Sequence, residues 1–191
     1  MLQVDHGRPG RGVEQLVLEA DDHPGRIDAA AGAALSMRDP WVTVPTRHPG
    51  HVADRLQEHR LRVALDAERL MSVVLADQRR VAAPPGYRAD VERAAYEGSE
   101  VWRLRLRTPQ DETAAQGDVA VLDGVAVVDR VETGRAHRRR GLGGAVMSRL
   151  ADLAESAGAR RGLLLASPAG QRLYAGLGWQ GHEWVVVARL P

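Results

Sequence analysis

Four amino-acid types are missing from this 191-residue chain: cysteine, lysine, asparagine and phenylalanine. Without cysteine the chain cannot form a disulfide, a thiolate metal site or a cysteine nucleophile. Without lysine all 26 basic residues are arginines, so an anionic ligand must be bound by arginine, histidine or backbone N–H groups. The absence of lysine also excludes a P-loop, whose phosphate-binding segment ends in Gly-Lys-Ser/Thr.

Strong net charge and long apolar runs are absent as well. The 26 basic and 25 acidic residues leave a formal charge of +1, which argues against a general nucleic-acid or membrane-binding surface. No apolar run approaches the roughly 20 residues of a membrane span, and the N-terminus has no signal-peptide h-region. From the sequence we expect a cytoplasmic protein, with neither a membrane nor a nucleic acid as a favoured partner.

Residues 1–83 are interpreted as a first segment of mixed, mainly helical character, and they contain no catalytic signature. The first dozen residues are rich in glycine and proline, which predicts a loose arm. The pattern then predicts two helices, a short alternating strand and a third helix that begins at Asp66: residues 27–37, 52–60, 61–65 and 66–74. The Pro-Gly run at residues 82–86 ends this segment, so residues 84–191 are predicted to form a second domain.

The second domain begins with an antiparallel meander. Apolar and basic residues alternate from Val101 to Arg107, the period of a half-buried strand whose three arginines we expect to point to solvent. Two further strands, residues 119–122 and 125–128, flank Asp123-Gly124, and this dipeptide between apolar runs predicts a tight hairpin.

Helical periodicity follows the meander. Residues 142–157 are apolar at spacings of three and four, which predicts an amphipathic helix. The apolar run at residues 163–166 predicts a strand that is buried on both faces. Ser167-Pro168 then predicts the N-cap and first position of a short helix, and residues 184–190 predict a final strand. A strand, a helix and a parallel strand form a crossover unit, so we expect a mixed sheet with helices packed on it.

The densest chemistry lies between the predicted strand and helix, in the segment from His137 to Gly144, His-Arg-Arg-Arg-Gly-Leu-Gly-Gly. Glycines allow backbone N–H groups to converge on one point, and a helix N-terminus adds a partial positive charge. Arginine side chains can hold phosphate oxygens through paired hydrogen bonds. A Rossmann loop is excluded because the spacing is Gly-x-Gly-Gly and the preceding sheet is antiparallel. The segment therefore predicts a pyrophosphate site.

This segment resembles the acetyl-CoA signature of the GNAT superfamily, Arg/Gln-x-x-Gly-x-Gly/Ala, at Arg138, Gly141 and Gly143. The stretch from residue 167 to residue 179, SPAGQRLYAGLGW, is similar to the family's Asn-x-x-Ala-x-x-hydrophobic-Tyr-x-x-x-Gly-Phe/Trp motif. It departs from that motif at Ser167 and Gly170. The resemblance covers about residues 84–191 and implies an α/β (α+β) fold: a mixed, mostly antiparallel sheet with a splayed parallel strand pair and flanking helices.

The resemblance also implies the activity and the residues that carry it. The family transfers an acetyl group from acetyl-CoA, a co-substrate, to a primary amine by direct attack in a ternary complex, without a metal. The residues implied to bind the co-substrate are Val131, Thr133, Arg138, Arg139, Arg140, Gly141, Leu142, Gly143, Gly144 and Ser167. A backbone N–H of Val131 or Thr133 would polarise the thioester carbonyl.

Tyr174 stands at the family's general-acid position, although simple packing beside Leu173 would also explain it. The base is open. Asp129 and Glu132 lie on the right strand, and their odd separation places them on opposite faces of a regular strand. Glu132 is the slightly favoured candidate, against solvated carboxylates and a water chain, while His137 fits anion binding better.

The acceptor is expected to be a small-molecule or peptide amine, and a homodimer is compatible with the sequence. The stretch of residues 89–101 is too short for the two helices that usually form the family's acceptor pocket, so residues 1–83 are the available material. They are interpreted as a degenerate acyltransferase half or a cap, with four candidate acceptor contacts: Trp41, Arg47, His48 and His51. Two alternatives remain: a non-catalytic acyl-CoA sensor, and an acyltransferase that acts on an aminoacyl-RNA.

Overall fold

The computed structural model describes residues 1–8, 11–96 and 99–191. In chain order the helices and strands are β1 (Leu2–Arg8), β2 (Arg11–Leu16), α1 (Gly25–Ala34), β3 (Trp41–Thr46), α2 (Pro49–Glu58), β4 (Arg62–Val74), β5 (Arg88–Tyr96), β6 (Ser99–Arg107), β7 (Thr113–Leu122), β8 (Val125–Thr133), α3 (Leu142–Ser156), β9 (Arg161–Ala166), α4 (Pro168–Gly176) and β10 (Gln180–Arg189). They form two compact units, residues 1–70 with 182–191, and residues 71–181. Among the helices in the described ranges, none is both long and apolar enough to span a bilayer.

The first unit is a sheet with two helices. Its strand order is β1-β2-β3-β10-β4, in which β1 and β2 are antiparallel, β2 and β3 are parallel, and β10 is antiparallel to β3. The alanine-rich face of α1 and the apolar face of α2 pack on this sheet. Their core includes Ile27, Ala30, Val44, Val52 and Leu56, each at most 2% exposed.

The second unit has the strand order β4-β9-β8-β7-β6-β5. Strands β5 to β8 form an antiparallel meander, and β9 is parallel to β8. Helix α3 lies against β7 because Gly117 has no side chain: a Cβ there would stand 2.9 Å from both Leu150 and Val146. The mixed, mostly antiparallel sheet predicted from the sequence is confirmed.

Local predictions in the second unit hold closely. Ser167 is the N-cap of α4, its side chain accepts from the Gly170 N–H, and Pro168 is the first helical residue. Asp123 and Gly124 both have positive φ, 49° and 77°, as a tight hairpin turn requires. Between residues 84 and 107 the described chain forms the β5–β6 hairpin, so the prediction that two helices would not fit there is confirmed.

Two predictions for the first segment were wrong. Residues 2–8 form strand β1 rather than a loose arm, whereas Pro9 and Gly10 lie outside the described residues. The helix predicted from Asp66 is part of the long strand β4. Strand β4 is next to β10 in the first unit, and its last residues are next to β9 in the second. Pairing with these neighbours satisfies the β4 backbone, which outweighs a weak helical pattern.

Candidate functional site

The segment between β8 and α3 has the backbone geometry of an anion site. Arg139 and Gly141 have positive φ, 63° and 81°. No atom lies within 4 Å of the position of a Cβ on Gly141, so the backbone conformation rather than space requires glycine there. Within the described residues, no side chain caps the N-terminus of α3. Its first N–H groups are therefore available to an anion.

Arg138, Arg139 and Arg140 are exposed, and two of them are held by hydrogen bonds. The Arg138 Nε donates to the Thr133 carbonyl at 3.2 Å, so this side chain lies against the last residue of β8. Arg140 Nη1 donates to the Tyr87 hydroxyl at 3.1 Å. The guanidinium groups thus add positive charge beside the N-terminus of α3, where phosphate oxygens would be bound.

The start of α3 lies close to α4 because Gly143, which faces α4, has no side chain. A Cβ on Gly143 would stand 2.9 Å from Leu173 Cδ2, and one on Gly144 would stand 3.3 Å from Val81. Leu142 is only 1% exposed and belongs to the core, so it can offer a ligand its N–H but not its side chain.

Strands β8 and β9 pair only at their starts in the described register. That register joins Val125–Val127 to Arg161–Leu163, whereas β8 continues to Thr133 and β9 to Ala166. Backbone groups at the far ends of a parallel pair that separates in this way can pair with an extended ligand. Val131 and Thr133 lie in this part of β8.

A β-bulge interrupts β8 at this place. Asp129 pairs with Asp118 and Glu132 pairs with Gln116, so two residues of β8, Arg130 and Val131, stand opposite Gly117 alone. Arg130 has a positive φ of 54°. Because the partners of Asp129 and Glu132 are two residues apart on β7, the two carboxylates lie on the same face. The prediction of opposite faces was wrong because it assumed a regular strand.

Both carboxylates on that face are exposed. The Glu132 carboxylate accepts from Gln116 Nε2 at 3.5 Å. Asp129 Oδ2 is 3.9 Å from Arg130 Nε, and its charge acts on Tyr174. The face therefore carries two solvated carboxylates close to the end of β8.

Tyr174 lies on α4 and is 7% exposed. Its ring packs over Gly170, since a Cβ on Gly170 would stand 2.7 Å from Tyr174 Cε2, and its centroid is 6.2 Å from that of Trp179. Burial, and secondly the charge of Asp129, raises the pKa of the Tyr174 hydroxyl above its usual value of 10.0. The phenol is thus neutral throughout the physiological pH range and can act as a proton donor.

The departure of this chain from its family motif at Gly170 now has a physical reason. An alanine Cβ at that position would contact the Tyr174 ring closely, whereas glycine leaves room for it. At the other departure, the Ser167 Oγ accepts from the Gly170 N–H at 3.3 Å. The capping role of Ser167 is confirmed, and its contact to a co-substrate stays a prediction.

The three arginines of β6 are only partly exposed, contrary to the expectation that they point to solvent. Arg103, Arg105 and Arg107 side chains are 34%, 23% and 21% exposed. Each pairs with a carboxylate of a neighbouring strand: Arg103 with Asp118, Arg105 with Glu92 and Arg107 with Asp90. The alternating acids of β5 could have indicated this cross-strand ladder.

Sequence reasoning also missed Tyr87, and it assigned His137 to anion binding. The structure buries the His137 side chain to 11% exposure and places its Nδ1 3.1 Å from the Tyr87 hydroxyl. Tyr87 precedes β5 and carries no motif, so the sequence gives no signal for this contact.

The predicted acceptor residues Trp41, Arg47, His48 and His51 lie in the first unit. The Arg47 Nε donates to Asp21 at 3.0 Å, and the Arg189 guanidinium lies 5.6 Å from the centre of the Trp41 ring. His48 is the N-cap residue of α2. Their role as acceptor contacts stays a prediction.

Several solved structures share this fold over most of the chain. A GCN5-related N-acetyltransferase from Kribbella flavida has a TM-score of 0.66 and 21% identity, covering 94% of this chain and 81% of that chain. A tandem GNAT protein from the clavulanic acid biosynthesis pathway has a TM-score of 0.61 and 13% identity, covering 95% and 72%. A GCN5-related N-acetyltransferase-like protein from Streptococcus suis has a TM-score of 0.58 and 9% identity, covering 87% and 76%. Comparison with curated proteins gave no match.

A mixed sheet with a separating parallel pair, and a Gly-Arg segment at the N-terminus of a helix, define the fold class of the acyl-CoA-dependent N-acyltransferases. Residues 96–179 match the family model described as the Acetyltransferase (GNAT) family. This match confirms the predicted resemblance of the second domain to the GNAT superfamily, and the solved structures share its fold. Members of this family use an acyl-CoA as co-substrate and an amine as acceptor.

Proposed function

We propose that this protein transfers an acetyl group from acetyl-CoA to a primary amine by direct attack within a ternary complex. The observation that carries the proposal is the segment from Arg138 to Gly144, where left-handed backbone, an uncapped helix N-terminus and three arginines meet. This combination suits a pyrophosphate better than a single carboxylate, because several N–H donors and two or more guanidinium groups are available together.

The co-substrate would be held along β8. Its phosphates would contact the backbone N–H groups from Arg139 to Gly144 and the neighbouring guanidinium groups. Its pantetheine amides would pair with β8 near Val131 and Thr133, where the described ladder to β9 has already ended. The bulge at Arg130 reorients the backbone of β8 immediately before this stretch.

In the chemical step, the amine nitrogen attacks the thioester carbonyl carbon and a new C–N bond forms. The C–S bond then breaks, and the sulfur leaves with its electron pair as a thiolate that accepts the Tyr174 hydroxyl proton. The raised pKa of Tyr174 keeps this proton in place until the thiolate forms. The proton lost by the amine passes to Glu132, with Asp129 on the same face as the alternative base.

We also propose that residues 1–83 are a degenerate acyltransferase half. The chain repeats one order of elements: an antiparallel strand pair, a helix, a strand parallel to the second one, a helix and a last strand. This order describes β1 to β4 and again β7 to β10. In both repeats the second helix has proline in its first turn, Pro49 in α2 and Pro168 in α4. The fold likeness to a tandem GNAT protein supports this interpretation.

The first repeat does not offer a second co-substrate site. Between β2 and α1 the chain carries Glu19, Asp21 and Asp22 where the second repeat carries arginines and glycines. Carboxylates at this place repel phosphates, so we expect one acetyl-CoA to bind per chain.

The test is a calorimetric titration of the protein with acetyl-CoA and, in parallel, with free CoA, followed by a thiol-release assay over a panel of amines. Binding at one site per chain, together with thiol release from at least one amine, supports the proposal. Binding without thiol release from any small amine, amino acid, antibiotic or peptide N-terminus indicates the sensor or the aminoacyl-RNA alternative. Absence of binding to either ligand contradicts the proposal.

A further inference from the structure

Tyr87, His137 and Arg140 form a chain of hydrogen bonds that reaches from the core to the phosphate segment. Arg140 Nη1 is 3.1 Å from the Tyr87 hydroxyl oxygen, which is 3.1 Å from His137 Nδ1. The two rings meet edge to face, with centroids 5.8 Å apart. These contacts join the residue before β5 to both ends of the turn that leads into α3.

In the hydrogen bond between Arg140 and Tyr87 the donor is known. A guanidinium can only donate, so the Tyr87 hydroxyl oxygen accepts from Arg140 and its own proton is free to go to His137. When His137 Nδ1 accepts this proton, the ring carries its own proton on Nε2. This Nε2 is buried and without a hydrogen-bond partner in the described residues, while a carboxylate oxygen of Glu112 lies 3.7 Å from it.

Arg140 is an exposed side chain. An arginine loses rotamer freedom when it binds an anion, and this loss weakens binding. The hydrogen bond that Arg140 donates to the hydroxyl oxygen of half-buried Tyr87, which also contacts the buried His137, restricts the guanidinium before any ligand arrives. Part of this entropic cost is then paid during folding.

We infer that Tyr87 and His137 are positioning residues that hold the Arg140 guanidinium ready for the phosphates of acyl-CoA. The inference rests on the proposed function, because it requires the segment from Arg138 to Gly144 to bind these phosphates. Tyr87 contacts Arg140 directly, His137 acts on Arg140 through Tyr87, and neither is assigned a contact to the co-substrate.

The test is a double-mutant cycle on acetyl-CoA binding, measured by calorimetry with wild type, Tyr87→Phe, Arg140→Gln and the double variant. Tyr87→Phe removes one oxygen and retains the ring against His137. We expect it to raise the Kd about tenfold, the effect of one hydrogen bond to a charged group. In the Arg140→Gln background the same change should alter the Kd by less than about twofold. Arg149→Gln removes an exposed charge further along α3 and serves as the matched control, with the wild-type Kd expected.

A purely structural role would give a different pattern. Equal effects of Tyr87→Phe in both backgrounds, or a lower Tm with an unchanged Kd, would overturn the inference while leaving the proposed function intact. His137→Phe provides a second variant in case Tyr87→Phe does not fold. It removes the acceptor for the tyrosine proton, and it should raise the Kd only when Arg140 is present. If wild type does not bind acetyl-CoA, the proposed function itself fails.

Discussion

The two strand-to-helix segments of this chain have the same place in the two repeats and opposite chemistry. Between β8 and α3 the segment carries four arginines, and glycine at the N-terminus of the helix. Between β2 and α1 it carries Glu19, Asp21 and Asp22, and the helix begins after Pro24. The N-terminus of the helix presents N–H groups in both segments. Only the segment between β8 and α3 surrounds these groups with positive charge.

In the acidic segment between β2 and α1, Asp21 and Glu19 are paired with groups of the protein itself. Burial opposes ionisation of Asp21, but hydrogen bonds from the Thr46 hydroxyl and from the backbone and side chain of Arg47 outweigh it and lower the pKa of Asp21 to about 2. Glu19 accepts from Arg26 at 2.7 Å. Internal ion pairs thus occupy the place where the other repeat leaves room for an anion.

The second helices of the two repeats, α2 and α4, also carry different chemistry at the same position. Tyr174 stands six residues after Pro168 in α4, and Arg55 stands six residues after Pro49 in α2. Arg55 pairs with Asp28 of α1 and, with His59, lowers the pKa of that carboxyl. One repeat uses this position to fix two helices together, whereas the other carries the proposed acid there. The same order of elements therefore carries different chemistry in the two repeats.

The largest effect is expected from placing a carboxylate in the arginine-rich segment. Gly141→Asp introduces a negative charge and a side chain at a φ of 81°, and it should raise the Kd for acetyl-CoA at least about 100-fold. Gly25→Asp makes the matched change at the start of α1, where a Cβ has no neighbour within 4 Å, and should leave the Kd unchanged. Calorimetry of both variants decides; equal losses would mean that the two segments do not differ in function.

The next effect concerns catalysis alone. Tyr174→Phe removes the proposed acid but keeps the ring over Gly170, so we expect kcat to fall about 100-fold, within the range of acid catalysis, while the Kd for acetyl-CoA changes little. Steady-state thiol release and calorimetry measure the two quantities separately. An unchanged kcat would remove Tyr174 from the mechanism and leave it a packing residue.

Glycine-to-alanine changes should have opposite signs in the two repeats. Gly143→Ala in α3 would place a Cβ 2.9 Å from Leu173, and crowding of this kind costs about 1–3 kcal/mol of unfolding free energy. Gly32→Ala in α1 meets no atom within 4 Å, so it should stabilise the protein by about 0.5–1 kcal/mol. Urea unfolding measures both, and a stabilising Gly143→Ala would show that the two helices can separate without cost.

The smallest effect is a pH dependence in the acidic segment. The pKa of Asp21 is lowered from 3.8 to about 2 in the folded protein. Its ionised carboxylate therefore adds to the free energy of unfolding in full above pH 4, and this stabilisation is lost as the pH falls towards 2. We expect Asp21→Asn to lack this stabilisation, which is of the order of 1 kcal/mol. Urea unfolding of both proteins at pH 5, 4 and 3 should give a difference that narrows with acid. A constant difference would show that Asp21 stabilises through packing instead.

Sequence patterns predicted the second unit well because its signals are local. Asp123-Gly124 specifies a turn through the backbone freedom of two residues, and Ser167-Pro168 specifies a helix start in the same way. The periodicity of residues 142–157 predicted α3 to within two residues. The phosphate segment could also be predicted, because strand, glycines and helix follow one another along the chain.

The rest was decided by partners far away in sequence. Residues 62–74 became a strand because β10 and β9 lie beside them in the two units, and neither neighbour can be inferred from residues 62–74 alone. The bulge at Arg130 put Asp129 and Glu132 on one face, because two residues of β8 stand opposite a single residue of β7 there.

The sequence by itself determined the turns, the helix starts and the charge of each strand-to-helix segment, because these depend on dihedral preferences and on side chains a few positions apart. Only the tertiary structure decided the register of β8, the strands beside β4 and the contact of Tyr87 with His137 and Arg140. These features depend on packing and hydrogen bonding between separate elements, from 11 residues apart at the β8 bulge to about fifty at Tyr87, and no local preference encodes them.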